Sequence, residues 1–294
     1  MPELNKLNPY EPINQGHGTP LTTQQFQETV FTQEAPMLSE SDPLSHSIND
    51  LKAVIEKDID QAEAQRHLTT EVANAMAMAG LYRVAVPRSL GGLEAHPINQ
   101  IKTIEAISAI HGSTGWNLMI GIETMGILCA FYEPASLQAL YSDPNLIISG
   151  SVNPVGKATK VPGGYKVSGQ WPFVSGIHNA AYFWCQSIVQ ESGKPLKDAR
   201  GYVFCESLIP VRELEIIDTW QVSGMRASGS HDALVKEVFV EDKFVCRMQT
   251  QTPTAPGPLY QMPIYSRLAY NKVGVATGIT MKAIKSFVEL ATQK

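Results

Sequence analysis

The sequence predicts an α+β fold: an N-terminal all-helical domain, a central β-barrel or sandwich domain, and the start of a C-terminal helical bundle. Three observations predict it. Apolar residues recur at helical spacing in the first part, short runs rich in Val, Ile, Tyr, Phe and Trp fill the middle, and a long amphipathic helix follows. The chain has 294 residues, of which 44% are hydrophobic, so it can bury a sizeable core in about two domains.

Composition divides the chain into five segments. Residues 1–44 are rich in Pro, Gln, Asn and Thr without a sustained apolar period, which predicts an extended or disordered arm. Beyond it, apolar residues at helical spacing open a helical domain at residues 45–145. The first of them are Ile48, Leu51, Val54, Ile55 and Ile59. The remaining segments are a β domain at 146–248, a Pro-rich linker at 249–265 and a helix at 266–294.

The last predicted helix has a broad apolar stripe along one side. Its members are Val275, Ile279, Ala283, Phe287 and Ala291. Such a stripe normally packs against a partner helix. We therefore expect this helix to open a bundle that the chain does not complete.

Composition also excludes several classes of function. A net charge of −5 without a basic run argues against a nucleic-acid partner. The four cysteines lack CxxC spacing and the seven histidines lack ligand spacing, so neither a disulfide framework nor a metal site is expected. Neither an apolar run of membrane-spanning length nor a signal-peptide core is present, which predicts a soluble, cytoplasmic protein.

The stretch QWPFVSG combines an aromatic pair, Trp171 and Phe173, with Ser175 and Gly176. Residues two apart on a strand share a face, so Trp171, Phe173 and Ser175 are expected on one side of the sheet. They would then form either ordinary core ending in a bulge or turn, or the wall of a ligand site. The pattern alone favours core.

Other candidates have equally plain structural explanations. Trp116 and Met119, three apart on a helix, would line a substrate pocket or simply pack between helices. His178 follows the Ser-Gly step and would reach a ligand or solvent. Arg267 begins the last helix, where a cation is unfavourable to the helix dipole, so a bound anion would stabilise an arginine at this position.

His231 and Asp232 are adjacent on a strand and point to opposite faces, so stabilisation of a turn or ladder is favoured over a catalytic relay.

Three motifs together resemble one family. QWPFVSG, AGLYRVAVPRSLGGLE and GMRASGSHDALVKEVFV, within the helix–strand–helix order, resemble the acyl-CoA dehydrogenase superfamily of flavoproteins from about Ser45 onward. ISGSVNPVGKA, WPFVSG and HGSTGWNLMIG look like its oxygenase branch, the two-component monooxygenases that receive reduced FMN from a separate flavin reductase.

The resemblance implies a function: a monooxygenase component that uses reduced FMN, or FAD, and O₂ through a C4a-(hydro)peroxyflavin on an aromatic or apolar substrate. The alternatives are an FAD-dependent acyl-CoA dehydrogenase and a truncated, non-catalytic remnant. A homotetramer is implied where the full C-terminal bundle is present. The expected catalytic base would lie beyond residue 294, so none is assigned.

The resemblance also implies roles for particular residues. Ser175 would hydrogen-bond N5 or O4 of the flavin, while Trp171 and Phe173 would wall its ring. The remaining implied flavin contacts are Ser151, Val152 and Arg267, and the implied substrate pocket contains Trp116, Met119 and His178.

Overall fold

The computed structural model describes residues 43–292, so the predicted arm at 1–44 lies outside the described residues except for its last two positions, which begin the first helix. Five helices form the N-terminal part. They are α1 (Pro43–Gln65), α2 (Thr70–Met78), α3 (Pro97–Ile110), α4 (Gly112–Phe131) and α5 (Pro134–Leu140). Thr69 caps α2 by accepting the Val72 N–H.

Helix α4 is the central helix of this part. Almost every one of its residues is buried, because α3 packs on one side, the β sheet on another and the last helix on a third. Its sequence, GSTGWNLMIGIETMGILCAF, is apolar nearly all round, as a helix enclosed on several sides requires. The single charged residue within it is Glu123.

The central part is one mixed sheet with a small satellite hairpin. The strands are β1 (Ile148–Val161), β2 (Gly164–Trp171), β3 (Tyr182–Glu191), β4 (Lys194–Pro195), β5 (Lys197–Asp198), β6 (Gly201–Tyr202), β7 (Phe204–Pro210), β8 (Glu215–Ile217), β9 (Asp232–Glu241) and β10 (Val245–Cys246). The order is β10-β7-β3-β1-β2-β9-β8, with β4 beside β3 and β5 paired to β6. Only β1 and β3 pair in parallel among the described strands.

The sheet is open, which corrects the barrel alternative. Its two edge strands, β10 and β8, have two and three residues and do not pair with each other in the described part of the chain. A closed barrel would require backbone hydrogen bonds between the two edge strands. The two faces of β3 differ: Phe183 and Cys185 belong to the core of the sheet domain, whereas Trp184 belongs to the core shared with the helices.

After the sheet, a short helix α6 (Pro258–Gln261) leads into the 29-residue helix α7 (Ile264–Thr292). The first half of α7 packs on α3 and α4, where Val275 is buried. The second half presents much of the predicted stripe to solvent, with Phe287 at 71% exposed. Within residues 43–292, no helix is long and apolar enough to cross a membrane.

Candidate functional site

A buried hydroxyl marks the junction between the helices and the sheet. Ser175, in the segment that follows β2, is 4% exposed. The indole Nε1–H of Trp116 on α4 donates to its Oγ at 2.8 Å, and the Ser230 hydroxyl lies 2.7 Å away. Ser230 in turn lies 2.7 Å from the hydroxyl of Ser228. We call Trp116, Ser175, Ser230 and Ser228 the hydroxyl chain.

The backbone around Ser175 is fixed from several directions. Ser149 on β1 donates from its hydroxyl to the Ser175 carbonyl at 2.7 Å, and the Gly176 N–H donates to the Ser228 carbonyl at 3.0 Å. Gly176 has φ +75°, and a Cβ there would lie 2.4 Å from Oδ1 of Asn117 on α4. Two features therefore require glycine at this position: the left-handed backbone conformation and the close approach of α4.

The expectation that Trp171 and Phe173 share a strand face is wrong. Strand β2 ends at Trp171, and Phe173 takes a left-handed conformation with φ +60°, which breaks the alternation of faces. Trp171 is fully buried in the sheet core, and its Nε1–H donates to the Gln186 carbonyl at 2.8 Å. Phe173 is 67% exposed, with its ring edge-on to Trp220 at 6.1 Å. Phe173 can therefore contact a ligand at the surface, and Trp171 cannot.

Ser151 and Val152 lie on β1 beside this junction. Ser151 shares the face of Ser149, which bonds the Ser175 backbone, and its Oγ accepts the Asn153 N–H at 3.3 Å. Val152 is exposed. The pairing of β1 with β3 shifts register between Ser151 and Gly156, a local irregularity of the kind that often accompanies a site.

His178 lies at the surface in a cluster of rings. It stacks on His67 with centroids 4.1 Å apart and meets the edge of His231 at 4.9 Å. Burial of its ring, together with the neighbouring His67 and His231, lowers the pKa of His178 to about 4. His231 and Asp232 have separate partners, since His231 Nδ1 accepts the Trp220 N–H and Asp232 accepts from Gln170 and Thr219. The two residues do not bond to each other.

One stripe of α4 faces the last helix. Met119 and Glu123 lie four residues apart on this stripe, and Met119 is fully buried. Lys272 on α7 donates to both carboxylate oxygens of Glu123 at 3.0 Å and lies 3.9 Å from the Met119 sulfur. Burial raises the pKa of Glu123 to about 7, although Lys272 and Arg267 oppose the shift. Met119 therefore packs between helices, and Trp116 reaches the sheet domain.

Arg267 lies further along the same interface. A small cavity between α3, α4 and α7 is lined by Ala85, Gln100, Ile122, Glu123, Ile127, Arg267, Tyr270 and Asn271. We call its polar members Gln100, Glu123, Arg267, Tyr270 and Asn271 the helical seam. Arg267 lies in the first turn of the last helix, as predicted, and its guanidinium is buried.

Sequence reasoning missed several polar residues at these sites. Asn117 donates to the Ala227 carbonyl at 3.3 Å, and Glu63 accepts from His111 at 3.0 Å and Ser113 at 3.1 Å, which ties α1 to α4. Burial lowers the pKa of His111, and the Glu63 carboxylate partly offsets that shift. One usable signal was present, because Glu123 is the lone charge in an apolar 20-residue helix. In residues 43–292, no cluster of three His, Cys, Asp or Glu is placed to hold a metal ion.

Comparison with known proteins gives consistent matches. A family model described as the acyl-CoA dehydrogenase N-terminal domain matches residues 49–133. The oxygenase subunit HsaA of a flavin-dependent monooxygenase from Mycobacterium tuberculosis (strain ATCC 25618 / H37Rv) is 32% identical over 225 residues, which are 74% of this chain and 55% of that protein. Indole-3-acetate monooxygenase from Pseudomonas putida is 28% identical over 231 residues, 78% of this chain and 57% of that protein. The chain thus spans just over half the length of these relatives.

Solved structures agree with this fold. The 3-HSA hydroxylase from Rhodococcus sp. RHA1 superposes with a TM-score of 0.74 at 25% identity, covering 87% of this chain and 69% of that one. XiaF from Streptomyces sp., solved with FADH2 and glycerol, has a TM-score of 0.75 at 23% identity, covering 84% of this chain and 62% of that one. Most of the chain therefore shares its fold with these proteins.

Proposed function

Because this chain belongs to the acyl-CoA dehydrogenase superfamily, we propose that it works within the oxygenase component of a two-component flavin-dependent monooxygenase. The enzyme would take reduced FMN or FAD from a separate flavin reductase and use O₂ to oxidise an aromatic or other apolar small molecule. The observation that carries the proposal is the buried Ser175 hydroxyl, which Trp116 orients from the helical side and Ser230 from the sheet side.

The residues at this junction fit a flat ring with a polar edge. A serine hydroxyl has one proton and two lone pairs. Trp116 occupies one lone pair of Ser175, and when Ser230 donates to the other, the Ser175 proton is free for a ring nitrogen or carbonyl. Exposed Phe173 and Val152 offer apolar surface nearby. A bound reduced flavin supplies the electrons that activate O₂.

Within this proposal the chain's own residues orient the ring and exclude water. Ser228 and Ser230 can reverse the direction of their hydrogen bonds, so the hydroxyl chain can present either a donor or an acceptor at Ser175. Ser151 and Val152 line the other edge. We leave Trp171 and Arg267 out of the flavin site, because both side chains are enclosed, one in the sheet core and one between helices.

A two-component monooxygenase implies three kinds of partner. They are a flavin reductase, a small-molecule substrate and further copies of the chain. The exposed apolar stripe on the second half of α7 supports assembly, since exposed apolar patches commonly mark interfaces. The cytoplasmic location stays a prediction from composition.

An anaerobic titration tests the proposal. The chain is titrated with reduced FMN, with FADH2 and with both oxidised flavins, using tryptophan fluorescence and flavin absorbance. We expect selective binding of a reduced flavin. Ser175→Ala should weaken it about tenfold through loss of one hydrogen bond. Ser142→Ala, at an exposed serine that bonds only the Ala139 carbonyl, is the matched control and should bind as the parent does.

Two results would contradict the proposal. Tight binding of oxidised FAD that an acyl-CoA bleaches anaerobically would assign the chain to the dehydrogenases. Binding of no flavin, or equal binding by the parent and Ser175→Ala, would remove the junction as the flavin site.

A further inference from the structure

One carboxylate oxygen on α1 accepts three hydrogen bonds. Glu63 Oε1 accepts from the ring Nε2–H of His111 at 3.0 Å and from the hydroxyl of Ser113 at 3.1 Å. It also accepts the backbone N–H of Ala227 at 3.2 Å. Ser113 and Ala227 are buried, so these two donors would each lose a partner without this oxygen.

The three bonds join two segments that are distant in sequence. Ser113 lies in the first turn of α4, whereas Ala227 lies in the short turn Arg226–Ser228 that precedes β9. The carbonyl of Glu63 strengthens the second connection by accepting the Nε–H of Arg226 at 3.1 Å. The amide of Asn117 bridges the same two segments, since it donates to the carbonyls of Ser113 at 3.0 Å and Ala227 at 3.3 Å. Glu63 supplies the charged member of this bridge.

The start of α4 depends on this carboxylate. The first turn of α4 contains no acidic residue, and the side chain of His111 at its N-cap accepts no backbone N–H in the described structure. A carboxylate beside a helix N-terminus is favourable to the helix dipole. Burial lowers the pKa of His111, so its ring is neutral at neutral pH: Nε2–H donates to Glu63, and Nδ1 accepts the hydroxyl of Thr114 at 2.9 Å. Glu63 thus fixes the first turn of α4 from outside the helix.

The two joined segments carry the two ends of the hydroxyl chain. Trp116, whose indole donates to Ser175, follows Ser113 by one helical turn. Ser228, at the other end of the chain, directly follows Ala227. Hydrogen bonds weaken steeply when their distance and angle change. The direction of the Ser175 hydroxyl therefore depends on how both segments are held.

We propose that Glu63 is a positioning residue of the flavin site, which holds the two ends of the hydroxyl chain so that the Ser175 hydroxyl is directed at the ring. It acts through Ser113 and Ala227 and is not itself a flavin contact. The effect on flavin rests on the proposed function, whereas the alignment of Trp116 with Ser175 does not.

The first test needs no flavin. The indole N–H groups of the four tryptophans are labelled with nitrogen-15 and observed by NMR, and Trp116→Phe and Trp171→Phe assign two of the signals. We expect Glu63→Ala to shift the Trp116 signal and to speed its exchange with solvent, because its bond to Ser175 weakens. The Trp171 signal should not move, since that indole donates to Gln186 within the sheet core.

The second test measures affinity for reduced flavin. Glu63→Ala should weaken binding about tenfold in the parent chain, as Ser175→Ala does. In the Ser175→Ala variant it should weaken binding less than about twofold, because the hydroxyl that Glu63 directs is already missing. A residue that merely stabilises the fold would weaken binding by the same factor in both chains. Glu56→Ala is the control on the same helix, at an exposed pair with Lys52, and should change neither the Trp116 signal nor the affinity.

Two conservative variants separate the reach of the side chain from its charge. Glu63→Gln keeps an acceptor oxygen at the same reach without the charge, so it should retain the Trp116 signal and the affinity within about threefold. Glu63→Asp keeps the charge but withdraws the oxygens by one methylene, so it should behave like Glu63→Ala. If Glu63→Ala does not fold, this pair decides.

Three results would overturn the assignment. An unmoved Trp116 signal in Glu63→Ala, or equal losses of affinity with and without the Ser175 hydroxyl, would leave Glu63 as a contact that stabilises the fold. Binding retained by Glu63→Asp and lost by Glu63→Gln would attribute its effect to charge at the start of α4. A Trp116 signal that moves in a chain that binds no reduced flavin would support the alignment and remove the flavin site, so the two failures are distinguishable.

Discussion

The hydroxyl chain and the helical seam are both buried polar clusters against α4, and they differ in how completely they are paired. Each member of the hydroxyl chain has a hydrogen-bond partner at 2.7–2.8 Å. In the seam, Arg267 Nη1 and Asn271 Oδ1 have none among residues 43–292. One cluster consists of neutral groups that can exchange donor and acceptor roles, whereas the other contains fixed charges.

This difference follows from what burial costs each kind of group. Burying a hydroxyl that keeps its hydrogen bonds changes the free energy of folding little. Burying an ion costs much more unless a partner of opposite charge lies beside it. The hydroxyl chain is therefore complete before any ligand arrives, and binding only has to redirect it. The seam is incomplete on its own. Variants of the hydroxyl chain should therefore change stability through packing and hydrogen-bond geometry. Variants of the helical seam should change it through the electrostatic energy of the buried charges.

The largest expected effect is at Gly176 beside the hydroxyl chain. Gly176→Ala forces an alanine into a left-handed conformation and places its Cβ 2.4 Å from Asn117 Oδ1. We expect the free energy of unfolding to fall by about 2–4 kcal/mol, because backbone strain and overpacking add. Urea denaturation measures this loss.

Gly193→Ala is the matched control, because it isolates the cost of placing an alanine in a left-handed backbone conformation. Gly193 also has φ +75°, and nothing lies within 4 Å of the Cβ that the substitution would add. It should cost only about 1–2 kcal/mol. Equal losses at the two positions would show that Asn117 yields, and that α4 does not fix the position of Ser175.

Local pattern was enough to predict the layout of the fold but not these clusters. Helical periodicity identified the residues of α1 that are buried, such as Ile48, Leu51 and Ile55. The strand pattern failed after Trp171, because nothing in Trp-Pro-Phe shows that Phe173 takes φ +60°. The change of face there decided which aromatic ring reaches solvent.

Long-range contacts explain the other features that the sequence pattern did not predict. Ser175 was singled out from its motif, but its partners Trp116 and Ser230 are 59 and 55 residues away along the chain. The burial of Arg267 depends on α7 packing against α4. The sheet is open because its edge strands β8 and β10 lie at opposite ends of the strand order and do not pair in the described part of the chain. None of these has a local signature.

An intermediate effect is expected at Glu123, as a change in pH dependence. Burial raises its pKa from 4.5 to about 7, so between these pH values the folded state binds more protons than the unfolded state. Stability from this group therefore falls as pH rises through that window, by about 2–3 kcal/mol at most. Glu123→Gln should remove this fall, as measured by urea denaturation from pH 5 to pH 8.

The control for this pH effect is Glu289→Gln, at an exposed position on α7. It removes one negative charge without touching the seam and should keep the pH dependence of the parent chain. A parent chain whose stability rises steadily over this window, with Glu123→Gln following the same slope, would show that Lys272 holds Glu123 fully ionised in the fold.

The smallest effect is expected for the indole N–H of Trp116. Trp116→Phe keeps an aromatic ring and removes the donor to Ser175 Oγ, so the free energy of unfolding should fall by about 1 kcal/mol. Combined with Ser175→Ala in a double-mutant cycle, it should show a coupling energy of similar size, because each single variant removes the same bond.

Trp220→Phe is the matched variant for that cycle. It also loses an indole hydrogen bond, from Nε1 to the Met225 carbonyl at 3.1 Å, but that bond does not involve Ser175. It should therefore couple to Ser175→Ala more weakly than Trp116→Phe does, because it shares no hydrogen bond with Ser175 and reaches it through the ring contact with Phe173. Coupling of Trp116 no larger than that of Trp220 would mean that the bond from Trp116 does not orient the serine. The helical part would then contribute shape to the junction rather than a hydrogen bond.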